Sequence, residues 1–288
     1  MQTIPAEAAL YVVATPIGNL GDITLRAIEI LKNAEAIAAE DTRVAQKLLA
    51  HLKIKCQLIS LHEHNESSAA NRLIELLTQG KSVAMISDAG TPAISDPGAL
   101  AVERVRTAGF RVEPIPGPNA AIAALSVSGM SVVPFSFQGF LPAKKGERGK
   151  MLESLKERPD LLVFYEAPHR IVEAVASLVE VFGPDREICI ARELTKLFEQ
   201  VHRCRLGDAL SWLQEDADRR RGEFVLVVEG AVQSSATPDG DADRILGILL
   251  RELPLKQAVA LAARLSPSSR NALYERALVL KAQGSAEG

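Results

Sequence analysis

Cysteine is scarce, and the few present do not pair. Cys56, Cys189 and Cys204 are an odd three with no C-x-x-C spacing, which excludes a disulfide scaffold and a zinc ribbon and leaves reduced thiols. Low-complexity blocks are absent, and 47% hydrophobic with 24% charged residues is a globular balance, so wholesale disorder and a collagen-like fibre are excluded. Neither charge is in excess. With 33 Lys and Arg against 36 Asp and Glu the net charge is -3, which argues against a polycation that coats nucleic acid by bulk charge, though not against a local basic patch. The start, MQTIPAEAALYVV, has no basic segment ahead of an apolar one. It reads as a cytoplasmic protein without a secretory leader, in which the Asn65-Glu66-Ser67 sequon has no meaning. A long uninterrupted apolar run is missing too. Residues 114–143 carry no charge, but Pro116, Pro118, Pro134 and Pro142 with Gly117, Gly129 and Gly139 break the stretch, so it reads as protein interior and no membrane is expected.

What is present is alternation. Residues 10–14, 34–39, 57–61, 82–87 and 111–115 read as short buried strands, separated by helices at 24–33, from after Asp41 through Leu49, at 67–78 and at 97–108. Repeated β-α units predict a mostly parallel sheet with helices on its faces. The texture changes at 132–140, and Gly146 and Gly149 make the basic segment 144–150 read as flexible. A second α/β unit follows, with strands at 161–165, 187–191 and 224–228 and helices at 148–156, 171–181 and 206–214. Residues 231–243 read as a linker, and 242–252, 256–265 and 269–280 as helices, either a helix-turn-helix or a plain helical hairpin. The expected domains are 1–130, 131–232 and 240–288.

In an open α/β sheet, ligands sit beyond the carboxyl ends of the strands. Gly, Pro and small polar residues crowd those ends at 15–21, 88–98 and 116–121, where glycine admits a ligand to the backbone and proline preorganises it. Neither G-x-x-x-x-G-K-[ST] nor G-x-G-x-x-G occurs. A ligand held by backbone and shape is expected, such as a nucleoside with an amino-acid arm. His62-Glu63-His64 offers two imidazoles but no third ligand at a diagnostic spacing, so no metal is expected. Glu40-Asp41-Thr42-Arg43 either stands its carboxylates at the same sheet edge or caps a helix. Residues 165–170, Tyr-Glu-Ala-Pro-His-Arg, gather several functional groups at a strand end.

Seven ordered motifs carry a resemblance: T-P-I-G-N-L-G-D-I-T (15–24), A-E-D-T-R (39–43), S-D-A-G-T-P-x-I-S-D-P-G (87–98), P-G-P-N-A-A-I-x-A-L (116–125), F-Y-E-A-P-H-R (164–170), A-R-E-L-T-K (191–196) and R-G-E-F-V-L-V-V-E-G (221–230). Over nearly its whole length the chain resembles the bacterial small-subunit rRNA 2'-O-ribose methyltransferases I of the tetrapyrrole methylase superfamily. The resemblance implies a two-domain α/β methylase with a donor cleft between the domains and a small C-terminal helical segment. It also implies a homodimer that uses S-adenosylmethionine, without a metal, to methylate the ribose of a cytidine near the decoding site. The acceptor would be small-subunit rRNA or the assembled 30S subunit.

Carried over by position, Pro16 and Gly18 would belong to the first donor loop, Asp88, Gly90, Thr91, Pro92, Ile94 and Ser95 to the second, and Gly117, Pro118, Asn119 and Ala120 to the third. Tyr165 would close over the adenosine. Gly90-Thr91-Pro92 stands where tetrapyrrole enzymes show Gly-Asp-Pro, which leaves the role of Asp88 open. A base for the hydroxyl proton is sought among Glu40, Asp41, His169 and Glu193. The RNA contacts expected are Lys144, Lys145, Arg148 and Lys150, in a segment with a local balance of +3, and Arg219, Arg220 and Arg221. Two other readings are a tetrapyrrole C-methyltransferase of the same fold and a non-catalytic ribosome assembly factor.

Overall fold

The computed structural model describes residues 8–131, 134–231, 245–250, 252–266 and 268–284. It falls into two compact units, Met1–Gly230 and Ala231–Gly288.

Two five-stranded sheets organise the described part of the first unit. The first is built from β1 (Ala9–Val13), β2 (Ala36–Ala39), β3 (Gln57–Ser60), β4 (Val83–Ile86) and β5 (Arg111–Ile115), in the order β3-β2-β4-β1-β5 and all parallel. Strand alternation sorts its side chains onto two faces. Ala9, Tyr11 and Val13 point to one core, shared with Leu31 of α1 (Leu25–Asn33) and Leu49 of α2 (Thr42–His51). Leu10 points to the other, shared with Leu73 of α3 (Glu66–Thr78) and Val105 of α4 (Ala99–Thr107). With both faces covered, β2 and β4 are buried at every position and read as plain apolar runs. The helices start where side chains satisfy their free amides: Thr24 Oγ1 accepts from Ala27 N at 3.1 Å, and Asp41 Oδ1 from Arg43 N at 2.8 Å.

The second sheet is mixed. Its strands are β6 (Phe135–Phe140), β7 (Leu161–Glu166), β8 (Glu187–Arg192), β9 (Gln200–Arg205) and β10 (Phe224–Val228), in the order β6-β7-β10-β8-β9. Only β6 and β7 pair in parallel. One face packs α6 (Lys145–Leu155), α7 (Ile171–Phe182) and α8 (Leu206–Glu215) through Leu152, Leu178 and Leu213 against Leu162, Phe164 and Leu226. The other carries α5 (Ala120–Val127), whose Ala121, Ala124 and Leu125 sit on Val163, Cys189 and Val227. Each such leucine or phenylalanine, fully buried, contributes about 1.5–3 kcal/mol. Helix α5 follows the first sheet in sequence yet packs on the second, so the chain crosses between the lobes before residue 130.

Two expectations need correction, and one strand goes unannounced in the sequence. The basic segment at 144–150 is not a flexible tether: Lys145–Leu155 is helical, with Gly146 and Gly149 inside it. Arg148 is not on the surface. Its side chain is 2% exposed, and its guanidinium donates to Ser177 Oγ at 2.9 Å and to the carbonyls of Pro142 and Ala143 at 3.3 and 3.1 Å. The helix tucks it inward because three acceptors there satisfy a cation that would otherwise be stranded. Finally, Gln200–Arg205 is a strand that periodicity does not announce. It is an edge strand with mostly exposed polar residues, paired antiparallel to β8.

In the second unit residues 245–250 are helical, followed by helices at Leu255–Leu265 and Arg270–Gly284 around Leu246, Val259, Ala262, Leu273 and Ala277. The expected linker, apart from Ala231, and the start of the expected helix at 242–252 lie outside the described residues.

Candidate functional site

At the carboxyl edge of the first sheet the three glycine-rich loops are tied to one another. Thr15 and Gly90 form a two-bond bridge, Thr15 N to Gly90 O at 2.8 Å and Gly90 N to Thr15 O at 3.1 Å, and Thr15 Oγ1 adds a bond to Ser87 O at 3.2 Å. Thr91 Oγ1 reaches the third loop at Pro118 O, 3.3 Å away. Gly90 has φ +79°. A Cβ there would make only ordinary contact, 3.4 Å from Ile17 Cγ2, so it is the left-handed backbone and not a lack of space that favours glycine. Ala93 and Ser95 hold φ of +64° and +65° without glycine's freedom. Such backbone costs about 1–3 kcal/mol per residue and persists only where surrounding contacts impose it, which is common at ligand sites.

A cavity of about 430 Å³ opens above these loops and is closed from the second lobe. Ile17, Ile94, Phe140, Leu194, Phe224 and Val225 supply its apolar wall, and Glu40, Asp88, Asp96, Glu166 and Glu223 its polar part. The volume suits a small molecule. No lysine or arginine is among the described lining residues.

The carboxylates are not equivalent. Burial pushes Glu40 up, helped by the negative charges of Asp96 and Asp88. Asp88 is also raised, by burial first, although its Oδ1 accepts from Asp41 N at 3.1 Å. Asp96 is raised by burial and by Asp88, against the hydroxyl of Ser87. Glu166 is fully buried at its side chain and stays raised by that burial, though Ala167 N donates to Oε1 at 2.8 Å and the Arg170 Nε lies 3.1 Å from it. Asp41, by contrast, is held down at about 2 by hydrogen bonds from Arg43. For Glu193, burial pushes upward, but Lys196 Nζ at 2.8 Å and the Glu223 amide at 2.9 Å outweigh it and hold the carboxyl low.

Of the residues singled out from sequence, Glu40, Asp88, Gly90, Thr91, Ile94, Ser95, Asn119, Ala120 and Tyr165 meet in this cavity. Pro16, Gly18, Pro92, Gly117 and Pro118 shape the loops without lining it. Gly117 lies so near Ala14 that a Cβ would stand 2.9 Å from the Ala14 Cβ. Gly18 faces the second lobe instead, with room for no Cβ beside Lys196 and Thr195, and Asn19 N donates to Thr195 Oγ1 at 3.1 Å. Asn119 also caps α5, accepting from Ile122 N at 3.1 Å. Asp41 and Glu193 are engaged outside the cavity lining, and His169 is exposed beyond β7. His62 and His64 stand 6.1 Å apart between ring centres, and among the described residues no group of three or more His, Cys, Asp or Glu is arranged to hold a metal. Asp96 and Glu166 also line the cavity; both fall within the seven ordered motifs, but nothing in their local sequence sets them apart as site residues. Glu223 and Phe224 belong to the seventh motif, whereas Phe140 lies outside all seven and arrives only through the second lobe's strand order.

The match to known proteins runs along this same framework. Residues 9–210 match the family of tetrapyrrole (corrin/porphyrin) methylases, and residues 236–281 the RsmI C-terminal HTH domain. The chain belongs to the tetrapyrrole methylase family. Among curated relatives of this methylase, the ribosomal RNA small subunit methyltransferase I of Escherichia coli O157:H7 is 47% identical over 273 residues, 95% of this chain and 96% of the relative. The protein of the same name from Vibrio cholerae serotype O1 is 48% identical over 278 residues, again 95% and 96%. Among solved structures, the uroporphyrin-III-C-methyltransferase of Thermus thermophilus aligns with a TM-score of 0.55 at 24% identity, covering 77% of this chain and 94% of its own. The methyltransferase CobJ aligns with a TM-score of 0.59 at 20% identity, covering 78% and 95%. At that identity the two structures speak for the fold of the methylase alone. No helix among its described residues is long and apolar enough to cross a membrane.

Proposed function

We propose that this methylase transfers a methyl group from S-adenosylmethionine to the ribose 2'-hydroxyl of a cytidine in small-subunit rRNA, near the decoding site, as a cytoplasmic homodimer. The observation that carries the donor is the cavity's charge. Three raised carboxylates, Glu40, Asp88 and Asp96, with no cation among the described lining residues, favour a positively charged ligand and disfavour a phosphorylated one. S-adenosylmethionine carries a sulfonium and an ammonium against one carboxylate, a net positive charge, and its bound form supplies an electrophilic methyl. The acceptor is favoured by the shared name of the relatives, nearly half identical over almost the whole chain.

Within this reading the chain positions donor and acceptor and removes one proton. Glu40 is the base best suited to that proton, because it lines the cavity and its affinity for a proton is raised. Asp41 and Glu193 are tied to Arg43 and Lys196 as low-affinity carboxylates. For the RNA backbone, Lys144, Lys145, Lys150, Arg220 and Arg221 are exposed, whereas Arg219 packs its guanidinium over Trp212. A second copy would cover the apolar residues that the β8–β9 connection exposes, Leu197 and Phe198.

The test is transfer of labelled methyl to free small-subunit rRNA and to assembled subunits, with the modified nucleotide mapped. Label at a cytidine 2'-oxygen supports the reading. Donor binding without transfer to either acceptor points to an assembly factor, and label entering a tetrapyrrole offered in a parallel reaction points to the other branch of the family.

A further inference from the structure

The mouth of the cavity holds an exposed aromatic ring that a local irregularity has turned inward. Strand β6 pairs in parallel with β7, Phe137 against Val163 and Phe140 against Tyr165, and the register shifts between Phe137 and Gly139. In a regular strand, residues three apart face opposite sides. The extra residue reverses that parity, so Phe137 and Phe140 share the face of Tyr165. Both rings meet Tyr165 edge to face, at 4.8 and 5.6 Å between ring centres with planes at 66° and 67°. Tyr165 is itself anchored, its hydroxyl accepting from Ala121 N at 3.3 Å. The irregularity is fixed by Gly139, at φ +70°, where a Cβ would stand 3.3 Å from Ser95 Oγ of the strained loop.

Burial does not explain this arrangement. Phe140 lines the cavity but is 52% exposed, and Ile94, also on the lining, is 41% exposed. Leu194, Phe224 and Val225, by contrast, are buried in the same wall. On the reading above, the donor nucleoside takes the part of the wall formed by Leu194, Phe224 and Val225, which leaves the exposed ring to the acceptor. Resting on the RNA reading above, we infer that Phe140 is a positioning residue for the acceptor, a stacking platform for the nucleobase of the nucleotide whose ribose is methylated. Enzymes that act on single nucleotides hold the extruded base between aromatic and apolar side chains, and base–aromatic stacking is worth enough to dominate local positioning. Ile94, the other exposed apolar residue named on the lining, would supply the apolar contact.

The experiment compares wild type with Phe140→Ala and Phe140→Tyr, measuring S-adenosylmethionine binding by calorimetry and initial rates on assembled small subunits at saturating donor. The expected result for Phe140→Ala is donor affinity within about twofold of wild type and kcat/KM for subunits lowered by about tenfold or more, mainly through KM. Phe140→Tyr should restore kcat/KM to within about threefold, because it keeps the ring. Equal weakening of donor and acceptor by Phe140→Ala would make the ring a donor wall and overturn the inference. An unchanged kcat/KM, or Tyr as impaired as Ala, overturns it too. If wild type transfers methyl to no RNA, the RNA reading falls and takes this inference with it; wild-type turnover with an indifferent Phe140→Ala removes this inference alone.

Discussion

A single carboxylate oxygen of Glu66 accepts the amide of Gly98 at 2.9 Å, and the same oxygen takes the amides of Leu100 at 2.7 Å and Ala101 at 3.1 Å. Glu66 stands on α3 and those amides begin α4, so one side chain satisfies the start of a helix from its neighbour. Gly98, with φ +131°, has no side chain with which to cap. The loop carrying Asp88 to Asp96 ends there, which links its strained backbone to Glu66.

Removing this acceptor leaves free amides at the positive end of α4. Glu66→Ala is therefore expected to lower unfolding free energy by about 1–3 kcal/mol. Glu66→Gln should lose only the charge component, about 0.3–1 kcal/mol. Urea titrations measure both. Donor affinity should fall with Ala and not with Gln.

Glu40 gives the sharpest pH test. Burial and the charges of Asp96 and Asp88 raise its proton affinity, so the ionised form needed to accept a proton is filled only above the ordinary carboxylate range. The rate should rise with pH through that raised value. Glu40→Gln should abolish most turnover, about 100-fold or more, remove this acidic limb from what remains, and weaken donor binding only in part, because Asp88 and Asp96 stay in the lining. A limb that persists in Glu40→Gln would place the titration elsewhere.

Much of the fold was legible because the first sheet is buried on both faces. Its strands are short apolar runs, such as Ala36–Ala39, between helices with plain caps at Thr24 and Asp41. The misses share a physical cause. Strand β9 lies at an edge and shows no apolar alternation, and α5 is apolar nearly all round, so neither carries a periodic stripe. Arg148 could not be separated from its exposed neighbours, because burial of a cation depends on acceptors distant in sequence, here Ser177. At the site, the loops of the first lobe announced themselves through Gly and Pro. Phe140 did not, since its place depends on a register shift that composition does not encode.

Asp96 should cost the folded protein stability at neutral pH. Burial, then Asp88, raise its folded-state pKa above the unfolded value, against the Ser87 hydroxyl. Below the unfolded pKa both states hold the proton and no penalty arises; as pH rises through the folded pKa, the fold must accept the charge and stability is lost. Asp96→Asn should therefore be more stable than wild type at pH 8, with the difference shrinking towards pH 4. Urea midpoints across that range provide the measurement, and a difference independent of pH would contradict the argument. The same variant should narrow the preference for S-adenosylmethionine over its neutral thioether product, since it removes a negative charge from the lining.

The basic helix α6 separates two roles that the sequence presents as one. Arg148 points inward to Ser177 and two carbonyls, so Arg148→Ala strands those acceptors and should lower stability by about 1–3 kcal/mol. Lys144 and Lys145 point outward and pair with Glu147 and Glu180, each at 3.1 Å, between groups that are all more than half exposed. Such pairs are worth about 0–1 kcal/mol and exchange readily for a phosphate. Lys144→Glu with Lys150→Glu should leave the urea midpoint nearly unchanged, weaken binding to small-subunit rRNA, and flatten the dependence of log affinity on log salt by about 0.7 for each phosphate no longer neutralised. Arg148→Ala, assayed where it remains folded, should keep the wild-type slope. Equal slopes in all the variants would exclude this face of α6 from RNA binding, whatever the change in affinity.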